Sequence, residues 1–81
     1  MNKVKYIKTI DRQIIIFGEL YTHDMFRNFN PVSAGFIDIG TDKNGFLDCS
    51  CYGESISLGL KADIKEDTEL ARNQILGYGY F

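Results

Sequence analysis

Apolar residues recur at two different periods along the chain, and the changes of period divide it into elements. Val4, Tyr6 and Ile10 alternate with Lys5 and Thr9, which predicts a first strand over 4–10 with Asp11-Arg12 as the following turn. Residues 13–20 carry Ile14, Ile15, Ile16 and Phe17 in succession, the pattern expected of a central strand buried on both faces. Thr22 then reads as the N-cap of a short helix with Asp24 in its first turn and Met25, Phe26 and Phe29 as an apolar stripe. Pro31 ends that helix, because the residue before a proline avoids the α region.

A second hairpin is expected next. Alternation over 32–39 leads into Thr41-Asp42-Lys43-Asn44-Gly45, a type I turn with Gly45 in the left-handed region, and a return strand over 46–52 places Leu47, Cys49 and Cys51 on one face. Residues 53–60 alternate Ile56, Leu58 and Leu60 with small residues and read either as a fifth strand or as an extended segment crossing the sheet. Asp63 with Glu66 three positions on is an acidic capping box, and it predicts a helix over 64–76 with Leu70, Ala71, Gln74 and Ile75 facing inward and Gly77 as its stop. The expected fold is α+β, in the order β-β-α-β-β-(β)-α. A small antiparallel sheet is covered on one face by the long C-terminal helix, in a single domain over 1–81 with an aromatic tail over 78–81.

Composition narrows the function more by exclusion than by indication. The chain has 81 residues, is 44% apolar and 25% charged, and carries a net charge of −2, a globular balance without the clustered Lys and Arg that a nucleic-acid footprint needs. A domain this short buries only about 60–65% of its unfolded surface, so its core is thin and self-association becomes a natural source of stability. The longest apolar run, Ile14–Phe17, is far too short for a signal-peptide core or a bilayer span, so a soluble, cytoplasmic protein with no membrane partner is expected. Cys49 and Cys51 fall on one face of a strand at the upper limit of disulfide reach, and buried reduced thiols account for them better than a metal site with His23 as third ligand.

Three places carry candidate chemistry. His23, Asp24 and Arg27 come together at a helix start, where free backbone N–H groups and a guanidinium could hold an anion; a solvated first turn is the plainer account. Ser55 and Ser57, between Gly53 and Gly59, offer the hydroxyl and backbone donors of a small-residue phosphate loop, although no Walker or dinucleotide fingerprint is present. A serine hydrolase would need these residues and His23 to converge in space, and no catalytic residue is expected. In the tail, Tyr78, Tyr80 and Phe81 must bury aromatic area on the domain, on a second subunit or on a flat ligand.

Pro31-Val32-Ser33-Ala34-Gly35-Phe36, Cys51 to Leu60, Glu66-Asp67-Thr68-Glu69-Leu70 and the upstream Thr22-His23-Asp24 together resemble small bacteriophage-encoded proteins, by pattern and size, over 22–76. In size and character the chain resembles the counter-defence sponges of the Lockin, Sequestin and Thoeris anti-defence families. The resemblance implies a homo-oligomer in the host cytoplasm that sequesters a nucleotide-derived immune signal of the cyclic ADP-ribose type without cleaving it, with no cofactor. Such a ligand wants an aromatic platform, one or two cations and hydroxyl donors, for which Tyr21, His23, Arg27, Ser55, Ser57 and Arg72 are the candidates, with Tyr78 and Tyr80 closing over it. A pocket of several hundred Å3 is hard to hollow from so small a domain, so the site is expected between subunits. A protein–protein inhibitor of a host effector, of the anti-CRISPR type, and a structural phage protein are the alternatives.

Overall fold

The computed structural model describes residues 4–18 and 20–75. Its elements are β1 (Val4–Thr9), β2 (Ile14–Phe17), a 3₁₀ helix (His23–Phe29), β3 (Pro31–Thr41), β4 (Leu47–Tyr52), β5 (Glu54–Ser55), β6 (Leu60–Lys61) and α1 (Ile64–Ile75). Four strands form an antiparallel sheet in the order β2-β1-β3-β4, and β5 and β6 form a separate two-stranded ribbon. The fold is α+β, as the patterning predicts. Among the described residues no helix is long and apolar enough to cross a membrane.

Both hairpins form where turn chemistry places them. The first closes through Thr9, whose carbonyl accepts from Arg12 N–H and whose hydroxyl accepts from Gln13 N–H, with Arg12 in the left-handed region at φ 64°. In the second, the Asp42 carboxylate accepts from the N–H groups of Asn44 and Phe46, and Gly45 takes φ 84°.

Four expectations are corrected. β2 is an edge strand, not a central one, and its unbroken apolar run is explained by cover on both faces. Ile14 and Ile16 pack with the α1 side, while Ile15 and Phe17 pack on the other. The sheet is thus covered twice, by α1 on one face and by the 3₁₀ helix with Leu58 and Leu60 on the other. The segment 53–60 is neither one strand nor an extended crossing but β5, a turn over 56–59 and the start of β6, bent by Gly53 (φ 79°) and Gly59 (φ 67°). The helix after Thr22 is 3₁₀ rather than α, and Thr22 makes no side-chain cap bond. Its inward side chains are His23 and Phe26, three residues apart, with Phe29 against the Phe26 ring but exposed, as Met25 is. The predicted helix stop at Gly77 lies outside the described residues.

α1 binds the sheet through polar groups that hydropathy does not flag. Ala71 is buried as expected, but so is the charged Asp67, with Thr68 beside it. The Asp67 carboxylate accepts hydrogen bonds from the Tyr6 and Ser33 hydroxyls, the latter at 2.7 Å, and from Asp63 N–H, and its second oxygen lies 3.0 Å from Lys8 Nζ. Lys8 also pairs with Glu66, which Arg12 reaches from outside. The capping box therefore closes differently from its expected form. Asp63 accepts from Glu66 N–H, but the reciprocal acceptor for Asp63 N–H is Asp67. Further along, Thr68 accepts from Cys51 N–H on β4, Gln74 accepts from Ile14 N–H on β2, and Arg72 holds Asp48.

The phenol, the ammonium and the two thiols in and beside this network are held in their protonated forms. Burial, then the hydrogen bond and charge of Asp67, push the Tyr6 phenol far up. Burial alone would lower Lys8, but its bonds to Asp67 and Glu66 outweigh that and raise it. Burial and the Asp67 charge push Cys51 up to about 12, and burial raises Cys49 as well. Both thiols are free and buried.

Two expectations follow from this network. Asp67→Ala strands two hydroxyls and an ammonium without their acceptor, and it should cost about 3–5 kcal/mol in urea denaturation, enough to leave a small domain largely unfolded. The folded state retains protons on Cys, Tyr and Lys that the unfolded chain releases, so stability present below the unfolded values is lost as pH climbs. The melting temperature followed by circular dichroism should therefore be flat near pH 7–8 and fall above about pH 9.

Candidate functional site

The sheet face opposite α1 carries one cross-strand row at a single level. Lys5 is paired on one side with Phe17 of β2 and on the other with Phe36 of β3, and Phe36 is paired with Tyr52 of β4. Directly opposed residues share a face, so this register lines up Phe17, Lys5, Phe36 and Tyr52 across all four strands. The 3₁₀ helix covers the Phe17 end. Phe26 stacks on Phe17 at 4.1 Å, and His23, one 3₁₀ turn earlier, sits edge-on to both Phe17 (5.4 Å) and Phe36 (5.8 Å). The Tyr52 end stays open.

Between the 3₁₀ helix and the β5–β6 turn a cleft of about 590 Å3 remains, floored by Lys5, Phe36 and Tyr52 and rimmed by Thr22, His23, Glu54, Ile56 and Ser57. Its volume is in the range of small-molecule sites, and residues of a single chain line it. The Phe36 and Tyr52 rings lie 5.8 Å apart and 31° from coplanar, a tilted aromatic surface. Loss of solvent, then the Asp38 carboxylate, push the Tyr52 phenol up, so it is neutral at physiological pH. Lys5 Nζ donates to the Tyr21 carbonyl at 2.9 Å.

Of the expected site residues, His23, Ser55 and Ser57 line this cleft, but in other roles than sequence suggests. His23 is buried, and its Nε2 lies 2.8 Å from the Gly35 carbonyl. A carbonyl only accepts, so Nε2 is the donor in this bond. Ser55 is buried too; its hydroxyl accepts from Leu58 N–H and meets Ser57 Oγ at 3.4 Å, which builds the turn. Arg27 is committed to Asp24 and to the Ser57 carbonyl, so the expected anion site of His23 and Arg27 does not assemble. Tyr21 contributes its carbonyl, with its ring against Phe26. Arg72 belongs to α1, on the far side of the sheet. Tyr78 and Tyr80 lie outside the described residues.

Lys5, Phe36, Tyr52, Glu54 and Ile56 are not among the expected residues; hairpin register aligns Phe36 with Tyr52, and the pairing of β1 with β3 brings Lys5 into line with them. Gly35 makes the arrangement possible, because a Cβ there would collide with the Tyr52 carbonyl. Chemically the site offers a tilted aromatic surface, one ammonium, one carboxylate and hydroxyl donors. Among the described residues no hydrogen bond joins a serine to His23, and no group of three or more His, Cys, Asp or Glu could hold a metal. No protein-family model, curated protein or solved structure matches the chain.

The contrast between His23 and Arg27 is open to measurement. His23→Ala removes a buried hydrogen bond and two aromatic edge contacts and should cost about 2–4 kcal/mol. Arg27→Ala, which breaks an exposed ion pair, should cost no more than about 1 kcal/mol in the same urea titration.

Proposed function

We propose that the protein is a non-catalytic binding protein that holds a small aromatic, nucleotide-derived molecule in the cleft over Lys5, Phe36 and Tyr52, and that it acts by sequestration, as a phage-encoded anti-defence sponge would. One observation carries this reading. The cross-strand row ends in an uncovered aromatic surface beside an ammonium that makes no ion pair among the described residues. A base stacks on such a surface whatever its edge pattern, and the ammonium receives an anionic group. Thr22, Ser57 and Glu54 stand at the rim to bond sugar hydroxyls. The Ser55 hydroxyl and His23 are spent on holding the backbone, which supports binding without turnover.

A second reading rests on apolar exposure. Leu20 is 90% exposed and Ile56, on the cleft rim, is 89% exposed, which suits contact with a host protein or a second copy of the chain. A thermal-shift screen against cyclic ADP-ribose isomers and cyclic dinucleotides separates the two. Stabilisation by several degrees with one class, and recovery of that ligand chemically unchanged after heating, is the expected result. A cleaved product would indicate an enzyme, and no shift with any ligand would favour the protein partner.

A further inference from the structure

The 3₁₀ helix and the bend before it leave a concentration of apolar side chains in solvent. Leu20, Tyr21, Met25 and Phe29 fall within ten residues of sequence and are between 52 and 90% exposed. The rings belong to one surface: Tyr21 stands edge-on to Phe26 at 6.3 Å, and Phe26 meets Phe29 at 5.9 Å. Ile10, 66% exposed, adjoins the Phe29 end, where its N–H donates to the Asn30 carbonyl at 3.1 Å. The helix adds no net charge to this face, because Asp24 and Arg27 pair with one another. At its other end the face borders the cleft, since Thr22 lines the rim and the Tyr21 carbonyl holds Lys5.

We propose that this face is the interface of a two-fold symmetric homodimer; the proposal does not depend on what the cleft binds. Five large apolar side chains, each more than half exposed, present on the order of 500 Å2, the upper end of what a soluble monomer leaves in water. Buried against a second copy, the face amounts to about 1,000 Å2 in total, where specific interfaces begin. A second copy of this chain suits it better than a partner of another kind. A two-fold contact needs only this one patch, and it brings Asp24 of each copy within reach of Arg27 of the other, so the charges on the face answer themselves. A strongly acidic or basic partner finds no net charge there to complement. The association also supplies apolar burial that an 81-residue core is too thin to provide alone.

Sedimentation equilibrium of the full-length protein from about 1 μM to about 200 μM tests this. The mass should rise with concentration from 9.2 kDa to twice that value. Leu20→Asp and Met25→Asp, each of which sets like charges into the apolar contact of both copies, should weaken association at least about tenfold. Both side chains are exposed, and an unchanged far-ultraviolet circular dichroism spectrum at the lowest concentration would establish that each variant folds. Ile64→Asp, at a position as exposed as Met25 but at the start of α1 on the opposite side of the sheet, should leave association unaltered. A mass of 9.2 kDa at every concentration would overturn the dimer and assign the face to a different partner. A dimer indifferent to Leu20→Asp and Met25→Asp would overturn this interface. Neither result bears on the nucleotide reading of the cleft, which stands or falls on its own ligand screen.

Discussion

A carboxylate with no access to water ties the layers of this protein together. Asp67 is fully buried, and its partners come from three elements: Tyr6 and Lys8 from β1, Ser33 from β3 and the Asp63 backbone at the start of its own helix. An unpaired charge in such a place costs several kcal/mol, so neither α1 nor the sheet is at rest without the other. The network also fixes register. Slipping β1 by one residue would turn Tyr6 and Lys8 to the opposite face and leave the carboxylate without most of its donors.

That constraint reaches the cleft, which shares no side chain with it. Side chains alternate along a strand, so holding Tyr6 and Lys8 toward α1 holds Lys5 and Ile7 toward the opposite face. Lys5 then stands in line with Phe36 and Tyr52 because β1, β3 and β4 keep their pairing. Gly35 completes the link: it lies on β3 between Ala34 and Phe36, admits the Tyr52 backbone, and offers its carbonyl to His23.

Much of the fold was legible because turn chemistry is local. Asp42 and Gly45 announce their hairpin, Asp63 announces its helix, and the pairing of Cys49 with Cys51 on one inward face follows from alternation alone. What escaped depends on distant partners. Lys8 and Asp67 look like surface residues by hydropathy, and only their mutual neutralisation explains their burial. The 3₁₀ helix was mistaken for α because three apolar residues near each other fit either period until Phe17 and Phe36 select which ones pack. Of the residues lining the cleft, composition singles out His23, Ser55 and Ser57, in other roles, and passes over the floor, since Lys5, Phe36 and Tyr52 converge only across strands.

The side chains that α1 sends to the sheet margins have a consequence for how this protein meets its own copies. β2 and β4 are the outer strands, and outer strands expose main-chain donors that invite another chain to add on. Gln74 occupies the Ile14 N–H, Thr68 the Cys51 N–H and the Asp48 carboxylate the Cys49 N–H. Strand-to-strand stacking of molecules, the route to fibrils, is obstructed on both flanks by the protein's own helix and side chains. What the molecule leaves open to other surfaces is then side chain rather than main chain, with Leu20 and Ile56 the most exposed apolar ones among the described residues.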